Sequence, residues 1–199
     1  MWGRTRTAWV RARYGCGTLA SRPAGAVGRG RVTSTVREVP FSTATERDAL
    51  CSFLDQARDA LIRKVDGLSD KDARTASTVS SLSLLSLLKH SAIWEHRWFQ
   101  IIFAGHSFPD EWPAVNEDRD ATFALGEDDT VESVLAYYLE QIAVSREITA
   151  SADLDARCVR TDLVDENLRW VAMHLIQETA RHAGHADIIR EAIDGSRGL

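Results

Sequence analysis

The stretch Leu168-Arg-Trp-Val-Ala-Met-His-Leu-Ile-Gln-Glu-Thr-Ala-Arg-His-Ala-Gly-His-Ala-Asp-Ile-Ile-Arg-Glu-Ala-Ile-Asp-Gly195 decides the fold. Taken as one helix, it places Val171, His174, Leu175, Glu178, His182, His185 and Ile189 on a single stripe, because residues three and four apart are vertical neighbours. Half of that stripe is apolar packing and half is titratable. Burying a carboxylate and imidazoles is costly unless they are paired or bound to something, so a helix that turns them inward has a reason to do so. Asp165 is placed to cap this helix and Gly195 to stop it.

Working outward, three more long helices can be read. The first is capped by Thr43 or Thr45, carries Leu50, Phe53, Leu54, Ala57, Leu61 and Val65 at 3-4 spacing, and meets Gly67 at its end. After a short helical turn opened by Ser69, the second starts at Ser80 or Ser81, with an apolar face through Leu84, Leu87, Leu88, Ser91, Trp94, Trp98 and Ile101, and ends near Gly105. Residues 105–129 form a long connection in which Phe108 and Trp112 are placed to dock on the bundle, over one end of the polar stripe. The third starts at a capping-box spacing, Asp129 to Glu132, packs Val131, Val134, Leu135, Tyr138, Ile142 and Ile148 inward, and fades near Ala152. With no strand alternation anywhere, the fold class is an all-α four-helix bundle, and the length of the connection between helices two and three permits a crossover.

The titratable stripe has the spacing of a metal site. Glu178 and His182, at i and i+4, match two ligands on adjacent turns. His90 interrupts the apolar face of the second helix and is the best third candidate. His185 is open between fourth ligand, ligand-orienting donor and general base at the mouth of the site. Trp94 and Trp98 are either bundle core or the aromatic wall of a pocket. His174 reads as core packing, His96 as exposed, and Asp187 as a surface partner of Arg190 or Arg181. The alternative for Glu178 is a pairing with Arg181 or His182, and for His90 a hydrogen-bonded core histidine.

Leu84-Leu-Ser-Leu-Leu-Lys-His90, taken with Glu178-Thr-Ala-Arg-His-Ala-Gly-His-Ala-Asp-Ile-Ile-Arg-Glu191, resembles the DinB-like superfamily, specifically its actinobacterial branch, from about Thr43 to Gly195. The resemblance implies a four-helix bundle with the crossover between helices two and three. It also implies a divalent metal held by three side chains, which map here to His90, Glu178 and His182. Better-known members carry histidine where this chain has Glu178, which makes the site harder and more anionic and leaves the identity of the metal open; zinc and nickel are the leading expectations.

Residues 1–40 differ from the rest. They hold eight arginines, one acid and six of the twelve glycines, a poor recipe for a core, and are expected to be a disordered extension to a domain spanning 41–199. An early start codon, a functional arm and a targeting segment are all open readings of it. Without it, 24 − 8 = 16 basic and 29 − 1 = 28 acidic residues leave the body at −12, which argues against nucleic-acid and anionic-membrane partners. No apolar run is long enough to span a bilayer. Three scattered cysteines, Cys16, Cys51 and Cys158, suggest reduced thiols and a cytoplasmic location. Pairing of two copies through an outer helix face is open.

Three ligands with a vacant position describe a catalytic site. The resemblance extends to enzymes that use low-molecular-weight thiols such as mycothiol or bacillithiol. The leading expectation is therefore a metal-dependent thiol S-transferase acting on a small electrophile. A non-enzymatic stress-related metal-binding or structural bundle is the alternative, and a metal-dependent hydrolase the third.

Overall fold

The computed structural model describes residues 45–109 and 119–197; the expectation of disorder for residues 1–40 and the docking of Trp112 lie outside them. The elements are α1 (Glu46–Arg63), the short α2 (Asp70–Ala73), α3 (Leu84–His96) running on into a π-helical segment (Arg97–Phe103), a 3-10 turn (Arg119–Phe123), α4 (Val131–Ser151) and α5 (Leu168–Asp194). Four long helices and no strand among the described residues make this an all-α bundle. No helix among them is long and apolar enough to cross a membrane.

Cross-helix contacts set the directions. Arg169 at the start of α5 pairs with Glu46 at the start of α1, and Arg190 near the end of α5 donates to the Lys64 carbonyl just past the end of α1 at 2.9 Å. These two helices are parallel. Lys89, His96 and Gln100 meet Asp129, Tyr137 and Gln141 in the same order, so the α3 rod and α4 are parallel too. By contrast His90 meets His182 while Trp98 meets His174, and Arg146 meets Asp55 while Arg47 meets Thr149. The α3–α5 and α1–α4 pairs are therefore antiparallel. The order is up, down, down, up. Parallel neighbours that follow each other in sequence need a long crossover, which is what the stretch after Phe103 supplies.

Local chemistry explains the ends. Thr45 caps α1 in a capping box with Asp48, and Ser83, a little later than expected, caps α3 with Ser86. Thr130 and Ser133, rather than Asp129 and Glu132, make the box that opens α4, and Asn167 rather than Asp165 caps α5 by accepting from the Trp170 N–H at 3.0 Å. Gly195 stops α5 in the left-handed region at φ 75°, where a side chain would be strained. The α3 rod stops for a different reason. Gly105 turns at φ 78° against the 153–167 connection, whose Val159 and Arg160 N–H groups donate to Phe103 and Ile102 carbonyls at 3.0 Å.

The run Leu84–Leu88 is buried on every side, so α3 is the central rod rather than a helix with one inner face. Two apolar clusters result. One gathers Leu61, Leu84, Leu88, Tyr138, Ile142 and Ala186, the other Leu54, Trp98, Phe99, Leu168, Val171 and Leu175. Between them runs a layer of buried polar groups, among them Arg58 and Glu95, Thr179 and His182.

Candidate functional site

The α3–α5 interface carries the sequence-predicted residues. His90 is buried, and three groups grip its ring. Thr122 Oγ1 lies 2.6 Å from Nδ1, the Trp94 indole N–H donates to the same nitrogen at 3.1 Å, and Phe123 stacks flat on the ring at 3.9 Å and 6°. Thr122 and Phe123 come from the 3-10 turn in the crossover, which Lys89 ties down by donating to the Ala124 carbonyl at 2.9 Å.

His182 stands edge-on to His90, with ring centres 4.7 Å apart and planes at 76°. Both of its ring nitrogens are buried and have no hydrogen-bond partner among the described residues. Glu178, half-buried one turn earlier, has Oε2 3.8 Å from His182 Nε2, but its Oε1 lies 3.0 Å from Arg181 Nη1. The structure thus brings His90, Glu178 and His182 to one place without closing them into a cluster. No three His, Cys, Asp or Glu side chains among the described residues converge as a formed metal centre. Glu178 is instead paired with Arg181, one of the two alternatives for it.

Burial pushes the His90 imidazole down to about 3, with His182 beside it adding to the effect. Burial also lowers His182 to about 4, against the opposing pull of Glu178. Both rings are neutral near pH 7; the His182 nitrogens are unpartnered among the described residues, whereas Nδ1 of His90 is engaged by Trp94 and Thr122. His185 is exposed, its ring 5.9 Å from that of His182, and lies at the rim.

Away from the histidines the interface is aromatic. Trp94 stacks on Trp98 at 6.3 Å; Trp98 meets His174 at 4.3 Å and Trp170 at 5.5 Å; and His174 lies flat on Trp170 at 5.0 Å and 10°. His174 is packed, as expected. Phe108 docks between the Arg97 and Arg160 guanidinium groups at 5.4 and 5.7 Å, as the loop reading expects. His96 is half-buried against the Tyr137 hydroxyl at 2.9 Å rather than exposed, because the parallel α4 covers that side of α3. Asp187 pairs with Lys64, just past the end of α1, not with the arginines of its own helix. Cys51 and Cys158 are unbridged.

Sequence reading missed the two loop residues that hold His90. It also missed the Arg58–Glu95 ion pair in the same polar layer, for which a signal existed: each is a charge on an otherwise apolar stripe.

The comparisons with known proteins bear on the fold and the family. A solved structure described as a conserved protein of locus from Enterococcus faecalis superposes with a TM-score of 0.56 at 14% identity, covering 77% of this chain and 100% of that one, a likeness of fold. A comparison with curated proteins finds no match. The family profile described as MST, mycothiol-S-transferase, matches residues 49–195 and reaches all four long helices. Because that match spans well over half of the sequence, the chain belongs to the mycothiol-S-transferase family, within the DinB-like superfamily.

Proposed function

We propose that the protein is a divalent-metal-dependent thiol S-transferase that joins a mycothiol-type thiol to a small electrophile. The observation that carries this reading is His182, a buried neutral imidazole with two unpartnered nitrogens facing His90. Buried polar atoms in a native protein are almost always satisfied, so such a pair argues for a missing ligand. The donor set fits a divalent cation in kind, with a carboxylate and an imidazole on adjacent turns of α5 and a second neutral imidazole from α3. Glu178 must leave Arg181 to complete it. A bound zinc or nickel ion would lower the pKa of a thiol brought to its open side.

The chain's own residues do the rest. Trp94, half-buried beside His90, forms the apolar wall against which the electrophile lies, and Trp98, packed in the core, backs it. His185, exposed at the rim, takes the thiol proton. The sulfur lone pair forms the new S–C bond, the bond from carbon to the leaving group breaks, and its electron pair departs with that group. The proton on His185 then passes to the leaving group or to water, so atoms and charge balance.

Metal content decides first. Near-stoichiometric zinc or nickel in untagged wild type, lost in His182→Ala together with thiol consumption, is the expected outcome; unimpaired thiol transfer by that variant would sink the reading. The non-enzymatic bundle draws support from the Glu178–Arg181 pair, and it becomes the leading reading if the wild type carries no metal and is stable without it.

A further inference from the structure

We propose that Trp94 and Thr122 are positioning residues that set the tautomer of His90 in opposite directions, so that metal loading requires the imidazole proton to move from Nε2 to Nδ1. The proposal rests on the metal reading above.

The argument is one of donors and acceptors. A tryptophan indole N–H can only donate, whereas a threonine hydroxyl both donates and accepts. Trp94 Nε1 lies 3.1 Å from His90 Nδ1, so that nitrogen accepts, and a neutral imidazole that accepts at Nδ1 carries its proton on Nε2. Thr122, 2.6 Å away and fully buried, can donate to the same nitrogen in that state. With Nδ1 taken up by these two groups, Nε2 is the atom left to face a ligand, yet in this tautomer it presents a proton and no lone pair. A metal-bound histidine normally donates through its other ring nitrogen to an oxygen. Moving the proton to Nδ1 satisfies that rule, since Thr122 can turn from donor to acceptor without moving. Trp94 cannot, and its N–H then faces an N–H. The indole therefore favours the metal-free form, and the hydroxyl is the group that makes the loaded form possible. The Phe123 ring stacked at 3.9 Å holds the imidazole plane, so the exchange is of a proton and not of the ring.

The two residues should act with opposite sign, which a merely structural role would not produce. Zinc affinity is measured by competition with a chromophoric chelator on the full chain. Thr122→Val should weaken binding about 10- to 100-fold, the usual loss for a partner of a ligating histidine. Thr122→Ser, which keeps the hydroxyl, should restore it. Trp94→Phe should tighten binding about 3- to 10-fold, the equilibrium worth of one neutral hydrogen bond. Nitrogen-15 spectra of the imidazoles, with His90 assigned through His90→Gln, read the tautomer directly. They should show Nε2–H in metal-free wild type, a shift toward Nδ1–H in Trp94→Phe, and Nδ1–H in the zinc form. Zinc binding with Nδ1–H already present in the metal-free wild type, or both variants shifting affinity the same way, overturns this proposal alone. A wild type that binds no zinc overturns the metal reading and this proposal together.

Discussion

Truncating Glu95 to alanine should be one of the most damaging single changes this bundle can receive. The Glu95 side chain is 1% exposed and the Arg58 side chain 4%. Two guanidinium nitrogens reach the carboxylate, Nη2 onto Oε1 and Nε to Oε2 at 3.3 Å. Removing one partner of a buried pair costs about 3–5 kcal/mol, because the other charge stays out of water. Asp55 Oδ1, 2.8 Å from Arg58 Nη1, retains part of the compensation, which puts the expected loss near the lower bound, about 3 kcal/mol. For a domain of this size that is a fall in Tm of roughly 6–12 °C. Urea unfolding followed by far-UV circular dichroism reads it as a shift in midpoint at unchanged slope. The double variant Arg58→Met with Glu95→Leu should recover most of the loss, since well-packed apolar residues carry no desolvation cost. A loss under about 1 kcal/mol for Glu95→Ala, or a double variant as weak as the sum of its singles, would mean that the pair is solvated, and the reasoning fails.

Three further outcomes are expected. In metal-free protein, His90 and His182 take up protons only near pH 3 and 4, whereas in the unfolded chain they do so near 6.5. The unfolded state therefore holds more protons within that window, stability rises with pH across it, and on the order of a few kcal/mol is lost as pH falls from about 6.5 toward 4. His182→Asn should flatten the profile, and equal slopes for variant and wild type would contradict the assignment. Gly105→Ala should destabilise by about 1–3 kcal/mol in the same urea assay, because its Cβ would sit 2.5 Å from Val159 Cγ1 at a φ of 78°; an unchanged midpoint would show that the two connections are not pressed together. Thr130→Ala should cost about 1 kcal/mol by removing the acceptor for the Ser133 N–H, whereas Asp129→Ala should act through the loop, losing its bond to Lys89. Circular dichroism melts of the pair separate the two effects.

The helices were legible because their periods are strong, and the proximity of His90, Glu178 and His182 was legible because all three lie on helices. The caps slipped where two residues could do the same job. Asp129 has the right chemistry to open α4, but its carboxylate already accepts from Lys89 at 2.8 Å and from the Gly126 N–H at 2.6 Å, so the neighbouring Thr130 takes the cap. Asp165 likewise precedes the start of α5 because the chain stays extended through the bridge between Arg157 and Asn167. Thr122 and Phe123 were not legible. They sit in an irregular connection with no period to read, and nothing local marks a threonine that will face a histidine 32 residues away. The π-helical widening of Arg97–Phe103, which bonds the Ala104 N–H to the Phe99 carbonyl, leaves no mark that helix patterning detects.

The polar layer itself carries the strongest argument for a ligand. One part joins α1 to α3 and the other joins α3 to α5, and they are treated differently. Toward α1 the layer holds a carboxylate and a guanidinium that close on each other with two contacts, and Asp55 adds a third. Toward α5 it holds His182, whose nitrogens close on nothing among the described residues. A hydroxyl within reach would satisfy such a nitrogen at little cost, as Thr122 does for His90. Glu178 is one turn away and is held by Arg181 instead. The same bundle does satisfy Arg58 and His90 with side-chain partners. Ser91 Oγ and Trp98 Nε1 are buried without partners among the described residues in the same way, so what sets His182 apart is a pair of unpartnered nitrogens in a ring that faces a second imidazole, the feature on which the proposed metal reading rests.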